Sequence, residues 1–212
     1  MMYVPPQFVI DDEECFSLIE RFPLGALVTQ GADGFVASHI PFVLDRRAGD
    51  KGVLRGHVAR PNAQGREGVD GSPGLVIFQP AGAYVTPSLY PAKRDHGKVV
   101  PTWNYVAVHV SGTLAFPSDE AWLAAHLDQL TRHMEAGRDP EWAVSDAPEP
   151  YIAQLKRAII GVELTISAIT GAAKVVQHRS EGDKRAVHDD LMKSRDRGDR
   201  LMADYLARAL KP

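Results

Sequence analysis

The sequence predicts an α+β protein, mainly β, in which an antiparallel barrel or sandwich of short strands carries a helical insert and C-terminal helices. Three observations predict it. Between residues 24 and 116, short apolar or alternating runs are separated by Gly, Pro, Asn and Asp clusters at hairpin spacing. Residues 118–137 then hold one strong helical period. Finally Ile160, Val162, Leu164 and Ile166 alternate with Gly161, Glu163, Thr165 and Ser167, so a strand pattern resumes after the helical insert. That return argues for one domain, with the barrel over 1–116 and 158–170, the helical insert over 117–157 and a helical arm over 171–212.

Each element has a local cause. After Pro5 and Pro6, Asp11 is placed to cap a short helix, with Glu14 in the reciprocal position three residues on. Cys15, Ile19 and Phe22 give that helix one apolar face, and Pro23 ends it. Residues 24–30 (LGALVTQ) read as a strand and 31–34 (GADG) as a hairpin turn. The returning strand, 35–45, sets Val36, Ser38, Ile40, Phe42 and Leu44 on one face; Pro41 cannot donate to a ladder and marks an edge or a bulge. A second hairpin turn covers 47–52 and returns through 53–58. Arg60-Pro61-Asn62 opens one or two helical turns ending at Glu67. Residues 75–79 form a compact apolar strand, 83–86 begin another, and 103–116 form a long one. Ser118 caps the next helix, with Asp119 and Glu120 in its first turn; Leu123, Leu127, Leu130 and Met134 line its apolar face and Gly137 closes it. A short helix follows at 151–157, then the late strand. Beyond Thr170 the chain turns polar, with two helical patterns at 184–194 and 200–210 broken near Gly198.

The stretch 84–110 (YVTPSLYPAKRDHGKVVPTWNYVAVHV) organises the rest. Four of the chain's nine Tyr and Trp residues (six Tyr, three Trp) lie here: Tyr84, Tyr90, Trp103 and Tyr105. Pro87, Pro91 and Pro101 restrict the backbone, and Lys93, Arg94, His96, Lys98 and Asn104 supply polar groups. Two readings fit: a long connection whose aromatics cap a core, or a loop that closes on a flat anionic ligand.

Composition narrows the classes. The net charge is −3 and the pI about 6.2, so no overall field draws the chain to nucleic acid. One cysteine, Cys15, excludes an internal disulfide framework and fits a reducing compartment. There is no long apolar run and the N-terminus lacks a signal-peptide profile, so the expectation is a cytoplasmic protein without a membrane span. The eight histidines include no HxH, HExxH or i, i+4 pair, so no metal site is expected. There is no GxSxG, and Ser38 and His39 point to opposite strand faces. No GxGxxG or P-loop occurs, so separate cations and amides must hold any phosphate; Arg60, Asn62 and Arg66 at a helix start are suited to that. In the terminal helices, Asp183, Asp189, Asp190, Asp196, Asp199 and Asp204 offset the basic residues, which argues for a solvated arm on a partner subunit rather than a DNA reader.

An ordered set of segments carries a resemblance: MYVPPQF, ASHIPF (37–42), GHVARPN (56–62), AYVTPSLYPAK (83–93), VVPTWNYVAVHV (99–110), AIIGVELTI (158–166) and KVVQHR (174–179). Together they resemble the PaiB-type family of FMN-binding split-barrel proteins, described as negative transcriptional regulators. The resemblance implies an FMN-binding split β-barrel, a homodimer with the flavin in a cleft between subunits, and DNA as a partner. It places Ser38, His39 and Pro41 beside the ring, and His57, Arg60 and Asn62 at the ribityl phosphate. Trp103 and Asn104 would reach over from the partner, and Lys174, Gln177 and Arg179 would close the site. The sequence departs from the family pattern at Gly65, Gly82, Leu89, Val176 and His178, which bears on how tightly FMN is held. Two alternatives stand beside the regulator: a flavin-dependent oxidoreductase using His39 or His57 as proton donor, and a cofactor-free dimeric binding module.

Overall fold

The computed structural model describes residues 2–210. Its elements run β1 (Val9–Ile10), α1 (Asp12–Arg21), β2 (Leu24–Gly31), β3 (Gly34–Pro41), β4 (Val43–Asp45), β5 (Val53–Ala59), α2 (Ala63–Glu67), β6 (Pro73–Val85), α3 (Ala92–Asp95), β7 (Thr102–Ala115), α4 (Glu120–Glu135), α5 (Glu149–Arg157), β8 (Ile159–Lys174), α6 (Glu181–Lys193) and α7 (Arg197–Ala209). The strands form one eight-stranded antiparallel sheet in the order β3-β2-β6-β7-β8-β5-β4, with β1 paired to β8. This is the α+β class the hairpin spacing predicts.

The chain divides into two compact units. One comprises Phe16–Phe78 and His109–Ile169. Its hairpin β2–β3 pairs in register from Leu24↔Pro41 to Gly31↔Gly34, and Gly34 closes the turn at φ +126°, a conformation L side chains rarely adopt. Leu27, Phe42, Leu54, Val76, Phe78, Leu114, Val162 and Leu164 are buried there, and Phe42 meets Phe78 edge-on at 6.0 Å. At Gly112, in β7, an added Cβ would stand 2.1 Å from the Thr165 carbonyl oxygen, so only glycine permits that strand approach.

The other unit comprises Met1–Cys15, Gln79–Val108 and Thr170–Pro212, of which residues 1, 211 and 212 lie outside the described residues. Val85, Tyr90, Val106, Val108, Ala172, Val187, Met202 and Leu206 are buried in it. Tyr205 donates its hydroxyl to Glu14 at 2.5 Å and Arg208 donates to the same carboxylate at 2.8 Å, tying α7 to α1.

Several local expectations hold in detail. Asp11 Oδ1 accepts from the Glu14 amide at 2.8 Å, Asn62 caps α2, and the strand after the first hairpin breaks at Phe42, directly after Pro41, with β3 on the sheet edge. Others are corrected. The strands expected at 75–79 and 83–86 are one strand, β6; β2 pairs only with Leu75, Val76 and Ile77, so no ladder bond from β2 is asked of Pro80. The cap of α4 is Asp119, whose carboxylate accepts from the Trp122 amide at 2.8 Å, and Ser118 lies outside it. Strand β8 continues to Lys174 because Ala172 and Ala173 are small, buried residues, and Ala172 and Gly171 pair with β1.

Gly112→Ala is expected to lower unfolding stability by about 2 kcal/mol or more, as forced overpacking does. Denaturant titration measures this; an unchanged midpoint would mean that β7 and β8 have room to separate.

Candidate functional site

In the unit containing β2–β5, the turn after β5 is fixed by amide side chains. Asn62 Oδ1 accepts from the Gln64 amide at 2.8 Å, and its Nδ2 donates to Ser38 Oγ at 2.9 Å. Ser38, accepting from Asn62, keeps its own hydroxyl proton to donate. Gln64, 2% exposed, donates Nε2 to the carbonyls of Leu27 (3.1 Å) and Val36 (3.3 Å) and to Thr29 Oγ1 (3.1 Å), which seats α2 on the β2–β3 hairpin. At Gly65 a Cβ would lie 2.9 Å from Ile160 and 3.1 Å from the Ala59 carbonyl, so the departure from the family pattern there lets α2 sit close to β5 and β8.

Arg60 is exposed but held at both ends. Its amide donates to the Ala158 carbonyl and its Nε to the Arg157 carbonyl, at 2.9 and 2.8 Å. Arg60 also borders a cleft of about 120 Å³ that Ser118, Glu120, Lys156 and Arg157 line, with Lys156 paired to Glu120 at 2.9 Å. Such an arrangement presents a fixed, charged donor fork to an anion. His39 stands exposed on the opposite face of β3 from Ser38, and Pro41 ends that strand.

His57 is placed differently from a phosphate ligand. Its Nδ1 lies 3.0 Å from Nε2 of His126, a residue of α4 that is 2% exposed and stacked on Trp122 at 5.1 Å. Burial lowers the pKa of both rings; that of His126 is pushed down to about 4, chiefly by burial and further by His57 and Arg55. Two neutral rings in an apolar setting do not suit a phosphate dianion. The 69 residues separating them hid the pair from any spacing rule. Among the described residues no three His, Cys, Asp or Glu side chains gather as metal ligands.

The other unit gathers Trp103, Asn104, Lys174, Gln177 and Arg179. Lys174 Nζ donates to Thr102 Oγ1 at 2.7 Å, which sets it beside the start of β7. Trp103 is 60% exposed and meets Tyr84, also exposed, edge-on at 6.0 Å. Asn104, on the opposite strand face, is wholly buried, and neither of its amide atoms has a partner among the described residues. Gln177 turns inward: Oε1 accepts from the Val175 amide, and Nε2 donates to the carbonyls of Ala173 and Gln7. Its amide atoms are engaged in holding the loop. Within that loop the buried Val176 sits at φ +56°, a strained conformation for a β-branched residue. Arg179 lies over the Tyr90 ring at 4.9 Å; its Nε and the Tyr90 hydroxyl are buried without partners among the described residues. Tyr90 and Gln64 were not singled out as site residues from sequence, because each depends on contacts distant along the chain. A Cβ at Gly82 would meet the Asn104 carbonyl at 3.4 Å, an ordinary contact, and His178 meets Phe8 edge-on at 5.9 Å.

Residues 2–168 match the family described as "Putative FMN-binding domain". The chain belongs to this family. Within the PaiB type, it is 30% identical over 212 residues to protease synthase and sporulation protein PAI 2 of Bacillus subtilis, covering 99% of both chains. It is 35% identical over 205 residues to an uncharacterised protein of Emericella nidulans, covering 80% of this chain and 82% of that one. Among solved structures, the flavocytochrome Anf3 of Azotobacter vinelandii superposes with a TM-score of 0.60 at 13% identity, covering 81% of this chain and 72% of that one. A FAD and heme binding protein of Mycobacterium smegmatis gives 0.55 at 21% identity, covering 77% and 71%. These likenesses establish the split-barrel fold for this PaiB-type chain.

The buried histidine pair makes a pH prediction. Between pH 6.5 and about 4 the unfolded chain takes up a proton that folded His126 refuses, so stability falls as pH drops through that window. Urea denaturation across that range should give a shallower pH dependence for His126→Phe than for the wild type. Equal slopes would contradict the placement of His126.

Proposed function

We propose that this chain binds FMN as a homodimer and acts in regulation, as the PaiB-type resemblance implies. The observation that carries the reading is the turn at Arg60–Asn62: an exposed guanidinium anchored through its backbone and Nε, next to an Asn62–Ser38 pair whose hydroxyl can still donate. This donor set fits a ribityl phosphate. In the proposed dimer a second copy supplies Trp103, and the exposed Trp103–Tyr84 pair, an aromatic surface without a covering group in its own chain, supports that role. Within their own unit, Lys174 and Arg179 supply cations, and the buried atoms of Asn104 and Arg179 that lack partners among the described residues support the polar roles the resemblance gives them. His57 is left out of the phosphate set, because its ring is neutral and already bonded to His126.

A bound flavin would supply electron and hydride transfer; the protein's part is to hold and shield it. The net charge of −3 argues for a specific patch rather than a general field in any contact with DNA.

The purified protein should show a flavin absorption spectrum, and mass analysis of the released cofactor should give FMN rather than FAD. Bleaching by NAD(P)H with turnover would point to the oxidoreductase, and colour without turnover to the regulator. A colourless protein that ignores added FMN would overturn the reading. Arg60→Ala should weaken FMN binding about tenfold or more, the loss of a charge-assisted contact. Unchanged affinity would remove Arg60 from the site.

A further inference from the structure

A second cavity lies at the other side chains of β5, where the helical insert covers the strand. Its volume is about 360 Å³, and His57, Leu127, Thr131, Trp142, Ile152 and Leu155 supply most of the wall. That volume falls in the ordinary range of small-molecule sites. It is more than twice the roughly 150 Å³ apolar cavity known to take up a benzene ring, so a fused pair of rings fits its scale. Trp142 and Leu155 are 46% and 44% exposed, which leaves the cavity with an accessible apolar rim.

The polar chemistry of this wall is set by the histidine pair. His126 Nδ1 is buried with no partner among the described residues, while its Nε2 faces His57 Nδ1 at 3.0 Å. A bare lone pair is cheaper to bury than an N–H with nowhere to donate. His126 is therefore protonated on Nε2 and donates to His57 Nδ1. His57 in turn carries its proton on Nε2, for which no hydrogen-bond partner is found among the described residues, and its ring lines the cavity. A buried pair that fixes a tautomer and leaves one donor on an otherwise apolar wall is the composition of a ligand pocket, with orientation supplied by a single polar contact.

We propose that this cavity binds a flat apolar molecule of about two fused rings carrying one hydrogen-bond acceptor, which takes the Nε2–H of His57. The site uses none of the residues kept for the flavin under the proposed function, from which His57 was set aside, so it stands or falls separately from that assignment.

Equilibrium binding of coumarin to the full chain tests it, with naphthalene as the matched bicycle lacking an acceptor. Coumarin should saturate one site per chain and bind about tenfold more tightly than naphthalene, the ratio expected for one hydrogen bond in an apolar site. Excess FMN should leave coumarin binding unchanged. Ala158→Trp, at an exposed position of the lining, and separately Leu155→Arg should each abolish binding, with circular dichroism reporting an intact fold. His57→Phe should reduce coumarin to the affinity of naphthalene. The proposal is overturned by an absence of saturable binding, by equal affinity for the two bicycles, or by displacement with FMN. It is overturned equally if Ala158→Trp dissolves a dimer, since that would assign the cavity to a second copy of the chain.

Discussion

Asn62 makes two hydrogen bonds on which the candidate phosphate site depends. One end of its amide stops the chain after β5 and starts α2; the other holds Ser38 on the edge strand β3. Beside that bridge, the turn carrying Arg60 is tied by its contacts to the backbone at Arg157 and Ala158. Gln64 reinforces the arrangement from beneath, with its carboxamide nitrogen placed among three acceptors of the β2–β3 hairpin. A charged fork on a fixed turn loses less entropy on meeting an anion than one on a mobile loop, so under the proposed function the bridge serves binding as well as folding.

The unit formed by the N-terminal residues, 79–108 and the C-terminal arm carries its costs in one region. Val176 in a left-handed conformation costs on the order of 1–3 kcal/mol, and each unpartnered buried polar atom of Asn104 or Arg179 a comparable amount. Gln177 pins the loop by bonding to the Val175 amide and the Ala173 and Gln7 carbonyls, so the strain is overdetermined by its surroundings rather than relaxed. Folds keep such costs where a group has to be presented in a set geometry.

Much of this architecture was legible in the sequence where its cause is local. Asp11 and Asn62 cap their helices because an Asx side chain acts on amides two or three residues away, and Pro41 ends β3 because it has no N–H to give. The same local logic misplaced the cap of α4, where Ser118 and Asp119 are both competent and the backbone after β7 selects Asp119. It divided β6 at Pro80, because whether a proline breaks a strand depends on which neighbour is still pairing there. Of the residues the resemblance assigns to the phosphate turn and ring edge, Asn62 bonds Ser38, and Arg60 lies two residues before Asn62 in the same turn. His57 was assigned by motif, and its partner His126 comes from a helix distant in the chain, so its true environment could not be read from spacing. Gln64 was invisible as a positioning residue for the same reason, since its importance lies in contacts with Leu27 and Val36; Gly65 was legible as a departure from the family pattern, but its close contact with Ile160 was not.

The central claim, a flavin held by Arg60 and its turn in a dimer, meets its most direct test in native mass spectrometry of the purified protein. The account predicts one dominant species with the mass of two chains and two FMN molecules. A monomer without cofactor that remains unliganded after FMN is added would contradict it.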